Sequence, residues 1–312
     1  MISAITQVCA VQAGSDLFDT ARTLEKFSDL LSDAVANFSS GGPRLCVFPE
    51  AFIGGYPKGN HFGAPIGSRS DEGRALFQRY FQSAIAVPGP ETARMAKLAK
   101  GANCDLIVGV IERDASTLYC TALCFSASGQ LLGKRRKLMP TAAERVIWGA
   151  GDGSTLDAFD TQSGKLSAVI CWENYMPMLR LSQYAQGTQI YCAPTVDDRP
   201  QWTSTMTMIA LEGRCFVVGA SQFLTRADVP DGFETIQGEG ADTVLINGGS
   251  VIVSPLGDVL AGPVFGREAM ICADVDLSML AAARMDFDVV GHYARPDIFS
   301  LTIDREAKRP VR

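Results

Sequence analysis

The chain has 312 residues, 47% hydrophobic and 20% charged, a balance that excludes a disordered chain, a collagen-like repeat and a coiled coil. A chain of this length buries enough surface to fold without disulfide or metal staples. The formal net charge of −6 argues against a nucleic-acid or anionic-membrane partner held by bulk charge.

Residues 4–12 read as a largely buried strand. Asp19 then opens a helix. Its apolar positions Leu24, Phe27, Leu31, Ala34 and Phe38 recur at spacings of three and four and share one face. Gly41-Gly42-Pro43 stops it. Residues 44–48 form a short buried strand ending at Pro49-Glu50, and a looser segment rich in Gly and aromatics follows to 72. Helical patterns occupy 73–86 and 91–101, and 106–111, 118–126 and 131–136 read as consecutive strands. Residues 166–170 are another buried strand, followed at once by Cys171. Pro177 suits the first turn of a helix running to about Ala185. A strand at 189–193, a helix at 200–214, a strand at 215–221 and strands near 249–254 and 269–275 close the pattern. Linkers, repeats and low-complexity tracts are missing, so one domain over residues 1–312 is expected. Alternating strands and helices with hairpin-like stretches predict an α/β layered domain with one mixed sheet or two sheets.

The sequence holds nine Cys and two His. An odd number cannot all pair internally. The nearest spacing to a zinc-type pair, Cys120 and Cys124, has no His close by, so no metal site is expected. The Cys lie in apolar runs, as Cys46 and Cys272 do, and read as reduced core thiols of a cytoplasmic protein. Met1 to Ala13 lacks a basic start and meets Asp16 soon after, unlike a signal peptide. No apolar stretch approaches the roughly 20 residues of a membrane-spanning helix.

Three ionisable residues share one context, at or just past the ends of expected strands: Glu50, Lys137 and Cys171. Strand ends are where α/β sheets bind ligands. The ordinary reading of Cys171 is one more buried thiol, but a strand-to-helix junction aims the sulfur at backbone N–H groups, which lowers a thiol pKa. The ordinary reading of Glu50 is a cap or a solvated strand end. Its apolar flanks Val47-Phe48-Pro49 and Ala51-Phe52-Ile53 instead predict a desolvated carboxylate of raised pKa, suited to general-base work. Lys137 ends the run Lys134-Arg135-Arg136-Lys137, which read blandly is a solvated face, and Glu144 beside Arg145 reads blandly as a surface ion pair.

The words around these residues carry more. FPEAFIGGYPKG (48–59), KLMPTAAERVIWGAGDGSTL (137–156) and CWENYMPMLR (171–180) closely resemble the three motifs of the nitrilase family. The likeness continues through APTVDDRPQW (193–202), ALEGRCFV (210–217), GGSVIVSPLG (248–257) and VGHYARPDIFSL (290–301), and so spans nearly the whole chain. The Cys-Trp-Glu-Asn string is similar to that of the nitrilase branch rather than to the amidases and carbamoylases. The resemblance implies a four-layer α-β-β-α sandwich that assembles as a homodimer or larger homo-oligomer. It implies Cys171 as nucleophile, Glu50 as general base, Lys137 as the cation that stabilises developing charge, and Glu144 as a second glutamate orienting Lys137 or the substrate. The implied substrate is a small nitrile, hydrolysed to a carboxylic acid and ammonia without cofactor, metal or His. The motif words look most like those of enzymes acting on arylacetonitriles. Sibling outcomes on the same site are cyanide degradation, release of the amide, and amide or carbamoyl hydrolysis.

Trp172, Tyr56 and Thr195 are expected to line the pocket, since aromatic side chains commonly wall such sites. Glu173 and Asn174 flank the nucleophile and either shape its loop or act. His292 is expected at a subunit contact or behind the site, and His61 at a pocket edge. Two departures stand out. Arg135 occupies a place where many family members carry His, with little effect expected because Lys137 is intact. The tail after about residue 302 is short for the family, which favours a dimer or small oligomer over long filaments.

Overall fold

The computed structural model describes residues 5–39 and 41–308. In chain order the elements are β1 (Ile5–Gln12), α1 (Thr20–Ala36), β2 (Arg44–Val47), α2 (Asp71–Ser83), α3 (Pro90–Ala102), β3 (Asp105–Asp114), β4 (Thr117–Phe125), β5 (Leu131–Arg136), β6 (Phe159–Thr161), β7 (Gly164–Ala168), α4 (Pro177–Tyr184), β8 (Ile190–Thr195), α5 (Gln201–Gly213), β9 (Phe216–Ser221), β10 (Phe223–Thr225), β11 (Val244–Val253), β12 (Val259–Phe265), β13 (Ala269–Asp276) and α6 (Met279–Ala283). Asp19 caps α1 through its side chain, which accepts from the Arg22 N–H at 2.9 Å. Ser70 does the same for α2, taking the Gly73 N–H at 3.0 Å.

The strands form two sheets rather than one. The first has the order β13-β1-β2-β3-β4-β5, and the second β10-β11-β9-β8-β7-β6 with β12 paired to β11. Three apolar clusters separate four layers. Leu24, Phe27 and Leu31 of α1 and Met95 and Ala99 of α3 pack on Cys9, Cys46, Leu106 and Leu123 of the first sheet. Val8, Val47, Ile107 and Cys120 face Leu166, Ile190, Val218 and Ile252 across the gap between the sheets. Tyr191, Val217 and Val251 of the second sheet meet Leu179 and Tyr184 of α4 and Trp202, Met206 and Ile209 of α5. The fold is therefore an α-β-β-α sandwich. Central strands buried on both faces account for the continuous apolar runs in the sequence.

The expected elements form, with shifted ends. The start of the first strand at residue 4 lies outside the described residues. The helix expected at 73–86 begins and ends earlier, at Asp71 and Ser83. Beta12 escaped the sequence reading because its residues are exposed or half-buried throughout, without apolar alternation. Beta6 and β10 are three residues each, too short for a periodic signal. The segment after residue 302 folds back on the body, where the Lys308 N–H donates to Asp152 Oδ2 at 2.7 Å.

Beta2 runs parallel to β1 and β3, and β7 runs parallel to β8, which runs parallel to β9. Glu50 follows the carboxyl end of β2 in one sheet, and Cys171 follows that of β7 in the other. Lys137 follows β5, antiparallel to β4. The charge run resolves by strand alternation. Arg135 and Lys137 are buried inward, whereas Lys134 and Arg136 pair with the buried Glu112. No helix among the described residues is long and apolar enough to cross a membrane.

Candidate active site

Glu50 is fully buried on the turn leaving β2. Ala51 after it has φ +51°, the left-handed region that L residues rarely occupy. Gln222, itself buried, pins the turn by donating Nε2 to the Glu50 carbonyl at 2.7 Å. The turn also lies against β3 at Gly109, where a Cβ would stand 2.0 Å from the Pro49 carbonyl oxygen and 2.7 Å from Glu50 Cα. Gly109→Ala therefore has to displace the carboxylate. We expect kcat to fall by roughly 100-fold, the penalty for misplacing a reacting group by about an ångström. Steady-state kinetics on the folded variant checks this.

Glu50 Oε1 accepts from Lys137 Nζ at 2.7 Å and from the Cys120 thiol at 3.6 Å, while Oε2 is buried with no hydrogen-bond partner. Burial pushes the Glu50 carboxyl above the ordinary carboxylate value, the Lys137 ammonium opposes that, and Glu144 adds to it. This is the direction expected from its apolar flanks.

Lys137 Nζ is fully buried and bridges two carboxylates, Glu50 Oε1 and Glu144 Oε2, at 2.7 Å each. Burial alone would pull the ammonium down. Glu50, then Cys171, Cys120 and Glu144, outweigh it and hold Lys137 well above the ordinary lysine value. Glu144 is thus no surface partner of Arg145, which instead donates Nε to the Pro140 carbonyl at 3.0 Å. Glu144 Oε2 also takes the Thr141 N–H at 2.5 Å, and its Oε1 takes the Tyr56 hydroxyl at 2.8 Å. Burial and then the neighbouring carboxylates push the Tyr56 phenol well up, so it stays a neutral donor. Trp148 completes the wall, its ring centre 5.6 Å from Lys137 Nζ and 5.7 Å from the Tyr56 ring.

Cys171 is buried and has φ +51°. It opens a 3-10 turn over Cys171–Tyr175, with α4 starting only at Pro177. Asn174 staples the turn, its Nδ2 donating to the Val169 carbonyl at 2.9 Å and the Cys171 carbonyl at 2.8 Å. The expectation of a lowered thiol pKa is overturned. Burial raises it and the Glu50 charge raises it further, against the lowering effects of Lys137 and of the Thr195 hydroxyl. Desolvation outweighs the local N–H groups, so the resting group is a neutral thiol beside a carboxylate.

Two adjoining cavities open on this cluster. One of about 230 Å³ is lined by Cys171, Trp172, Glu144, Tyr56, Asp197 and Arg199, among others. A larger one of about 460 Å³ shares Tyr56, Lys58, Thr141 and Glu144 with it and adds apolar walls from Phe62, Ile147, Trp148 and Ile236. Trp172 sits at the mouth, 44% exposed, its Nε1 donating to Asp197 Oδ2 at 2.8 Å and its ring 4.8 Å beneath the Arg199 guanidinium. Thr195 is buried beside the thiol, and its Oγ1 also accepts from the Asp197 N–H at 2.9 Å. His61 lines the larger cavity. His292 is exposed, edge-on to Tyr293 with ring centres 5.4 Å apart, and lines neither cavity.

The carbon-nitrogen hydrolase family model covers residues 7–285. The chain belongs to the carbon-nitrogen hydrolase family. This hydrolase is 53% identical over 306 residues to the bifunctional nitrilase/nitrile hydratase NIT4A of Lupinus angustifolius, covering 96% of this chain and 86% of that one. It is 52% identical over 305 residues to an aliphatic nitrilase of Sinorhizobium fredii, covering 98% and 97%. Nitrilase 2 of Arabidopsis thaliana is 51% identical over 314 residues, covering 99% and 91%. The fold is shared with a carbon-nitrogen hydrolase from Helicobacter pylori G27, with a TM-score of 0.72 at 19% identity over 95% of this chain and 97% of that one. It is also shared with the C. elegans NitFhit protein, with a TM-score of 0.75 at 20% identity over 99% and 70%.

The structure thus brings Cys171, Glu144, Tyr56 and Trp172 to the cavity walls, with Glu50 and Lys137 fully buried behind them, while Thr195, expected to line the pocket, is fully buried beside the thiol and lines neither cavity. Sequence reasoning missed Gln222, Cys120, Trp148, Asp197 and Arg199 in the hydrolase. Asp197 and Arg199 fall within the APTVDDRPQW string, the one local signal that pointed their way. Gln222 meets Glu50 across 172 residues, with no local mark.

Proposed function

We propose that this hydrolase is a nitrilase, converting an organic nitrile to the carboxylic acid and ammonia through Cys171. The observation that carries the reading is the likeness of more than half the residues to nitrilases over nearly the whole chain, and the buried Lys137 bridging Glu50 and Glu144 beside the Cys171 thiol supplies the chemistry. A nitrile carbon is a sluggish electrophile and needs a sulfur nucleophile. Because the thiol rests protonated, attack requires a base. The unpartnered Oε2 of Glu50 takes the proton as the C–S bond forms. One π pair of the nitrile moves to nitrogen, and Lys137, bonded to the other Glu50 oxygen, stabilises that charge and supplies the proton. The product is a thioimidate. The proton on Glu50 passes to Lys137 along their hydrogen bond, restoring carboxylate and ammonium, and Glu50 then activates a water that adds to the thioimidate carbon. Both protons of that water, collected by Glu50 and handed on through Lys137, end on the nitrogen, which leaves as ammonia with the C–N pair as the hydroxyl oxygen becomes the thioester carbonyl. A second water, again deprotonated by Glu50, releases the carboxylic acid and restores the thiol. Glu144 holds Lys137 from the far side, fixed in turn by Tyr56 and the Thr141 N–H.

The larger chamber supports an organic nitrile with an apolar body, an arylacetonitrile among them, over free cyanide, which is far smaller than either cavity. The bifunctional names among the relatives favour some amide as co-product. A substrate panel of phenylacetonitrile, an aliphatic nitrile, cyanide and the matching amides tests the reading. We expect acid and ammonia from the organic nitriles in equal amounts. Amide as sole product, or turnover of amides alone, would overturn it. Exposed Met178, Met208 and Leu211 on α4 and α5 support assembly as a homodimer or larger homo-oligomer, and nine free cysteines favour a reducing compartment such as the cytoplasm.

A further inference from the structure

Arg135 and Glu173 form a buried ion pair, with Nη2 to Oε1 at 3.2 Å and side chains 1% and 0% exposed. Arg135 lies two residues before Lys137, and Glu173 two residues after Cys171. Glu173 Oε1 also takes the Leu138 N–H at 2.6 Å, and its Oε2 takes the Ile170 N–H at 3.3 Å. One carboxylate therefore holds the residue after Lys137 and the residue before Cys171. Arg135 adds a bond from Nη1 to the Arg136 carbonyl at 2.6 Å, while its Nε is buried without a partner. A buried, imperfectly satisfied ion pair is poor value for stability, because a well-packed apolar pair of similar volume generally does as well or better. Its place between the two chain segments that carry the reacting groups suits a different purpose. Little effect was expected from Arg at position 135; the structure instead gives that side chain a specific partner.

The geometry points to the Arg135–Glu173 pair as a positioning device that fixes Lys137 against Cys171 and so decides how much acid and how much amide is released. The inference rests on the nitrilase reading above. The tetrahedral species formed when water adds to the thioimidate carries the Cys171 sulfur, a hydroxyl and an amino group on one carbon. If the nitrogen is protonated and the C–N bond breaks, ammonia leaves and the thioester goes on to acid. If the C–S bond breaks, its pair returns to sulfur, a proton restores the thiol, and the amide departs. An amino group leaves only with a proton delivered to it, whereas a thiolate leaves without one. The acid route therefore depends on the ammonium being held at the nitrogen, and a loosened clamp defaults to amide.

Glu173→Gln and Arg135→Met break the pair, and Arg135→Lys keeps the charge without the planar fork. Each is made in the full chain, its fold followed by circular dichroism, and its products from phenylacetonitrile separated by chromatography. In folded Glu173→Gln and Arg135→Met we expect the amide share of product to rise severalfold. We also expect kcat to fall about tenfold or more with KM little changed, because reacting groups rather than binding groups are displaced. Arg135→Lys should fall between these and the parent. An unchanged amide share in folded variants would overturn the proposal, even if the rate falls. Recovery of both pair-breaking variants only as unfolded chain would overturn it too, since the pair would then serve folding rather than positioning. Failure of the parent to hydrolyse any nitrile is a separate result that strikes the nitrilase reading itself.

Discussion

Cys171→Ala is expected to abolish nitrile turnover, with kcat falling on the order of a million-fold, the scale on which removal of a covalent nucleophile acts. The fold should survive. The thiol makes no bond on which an element depends, and the strained turn is stapled through the Cys171 carbonyl by Asn174, which alanine leaves in place. Loss of one buried sulfur costs on the order of 1 kcal/mol of stability, within the range of ordinary point changes. Unchanged circular dichroism and a Tm within a few degrees of the parent, alongside no detectable ammonia release, is the expected pair of observations. Residual turnover within about 100-fold of the parent would exclude a covalent role for Cys171.

Glu50→Gln is the second large effect. Glutamine keeps the shape, and its Oε1 can still accept from Lys137, but it cannot take a proton from a thiol that burial pushes toward the neutral form. We expect kcat to fall by about 100- to 10 000-fold, the usual share of general-base catalysis. The same group sets the acid limb of the pH profile. The base works only when ionised. Its folded pKa is raised by burial, so activity should be lost, as pH falls, above the roughly 4.3 of an ordinary glutamate. Glu144 contributes to that raise, so Glu144→Gln should move the acid limb to lower pH while lowering the rate by loosening Lys137.

Much of this was legible in the sequence for identifiable physical reasons. Strands buried on both faces write continuous apolar runs, and polar residues at their ends stand out; that is how Glu50 and Cys171 show themselves without any comparison. Lys137 hides within a charge run until the strand alternation of β5 separates it and Arg135 from Lys134 and Arg136. The choice between one sheet and two is not written locally, because it depends on which apolar faces meet. The thiol pKa was read with the wrong sign for a related reason. The N–H groups at a strand-to-helix junction are a local feature, whereas burial and the approach of Glu50 arise only when two sheets close on each other. Gln222 and the Arg135–Glu173 pair are legible only in three dimensions, since their partners lie 172 and 38 residues away.

The central claim is that Cys171 bonds covalently to the nitrile carbon. Rapid acid quench during turnover of phenylacetonitrile, followed by intact-mass measurement and peptide mapping, tests it most directly. The account predicts a single adduct of thioimidate or thioester mass on the peptide holding Cys171, missing in Cys171→Ala. An adduct on another of the nine cysteines, or undiminished turnover by chain already alkylated at Cys171, would contradict it.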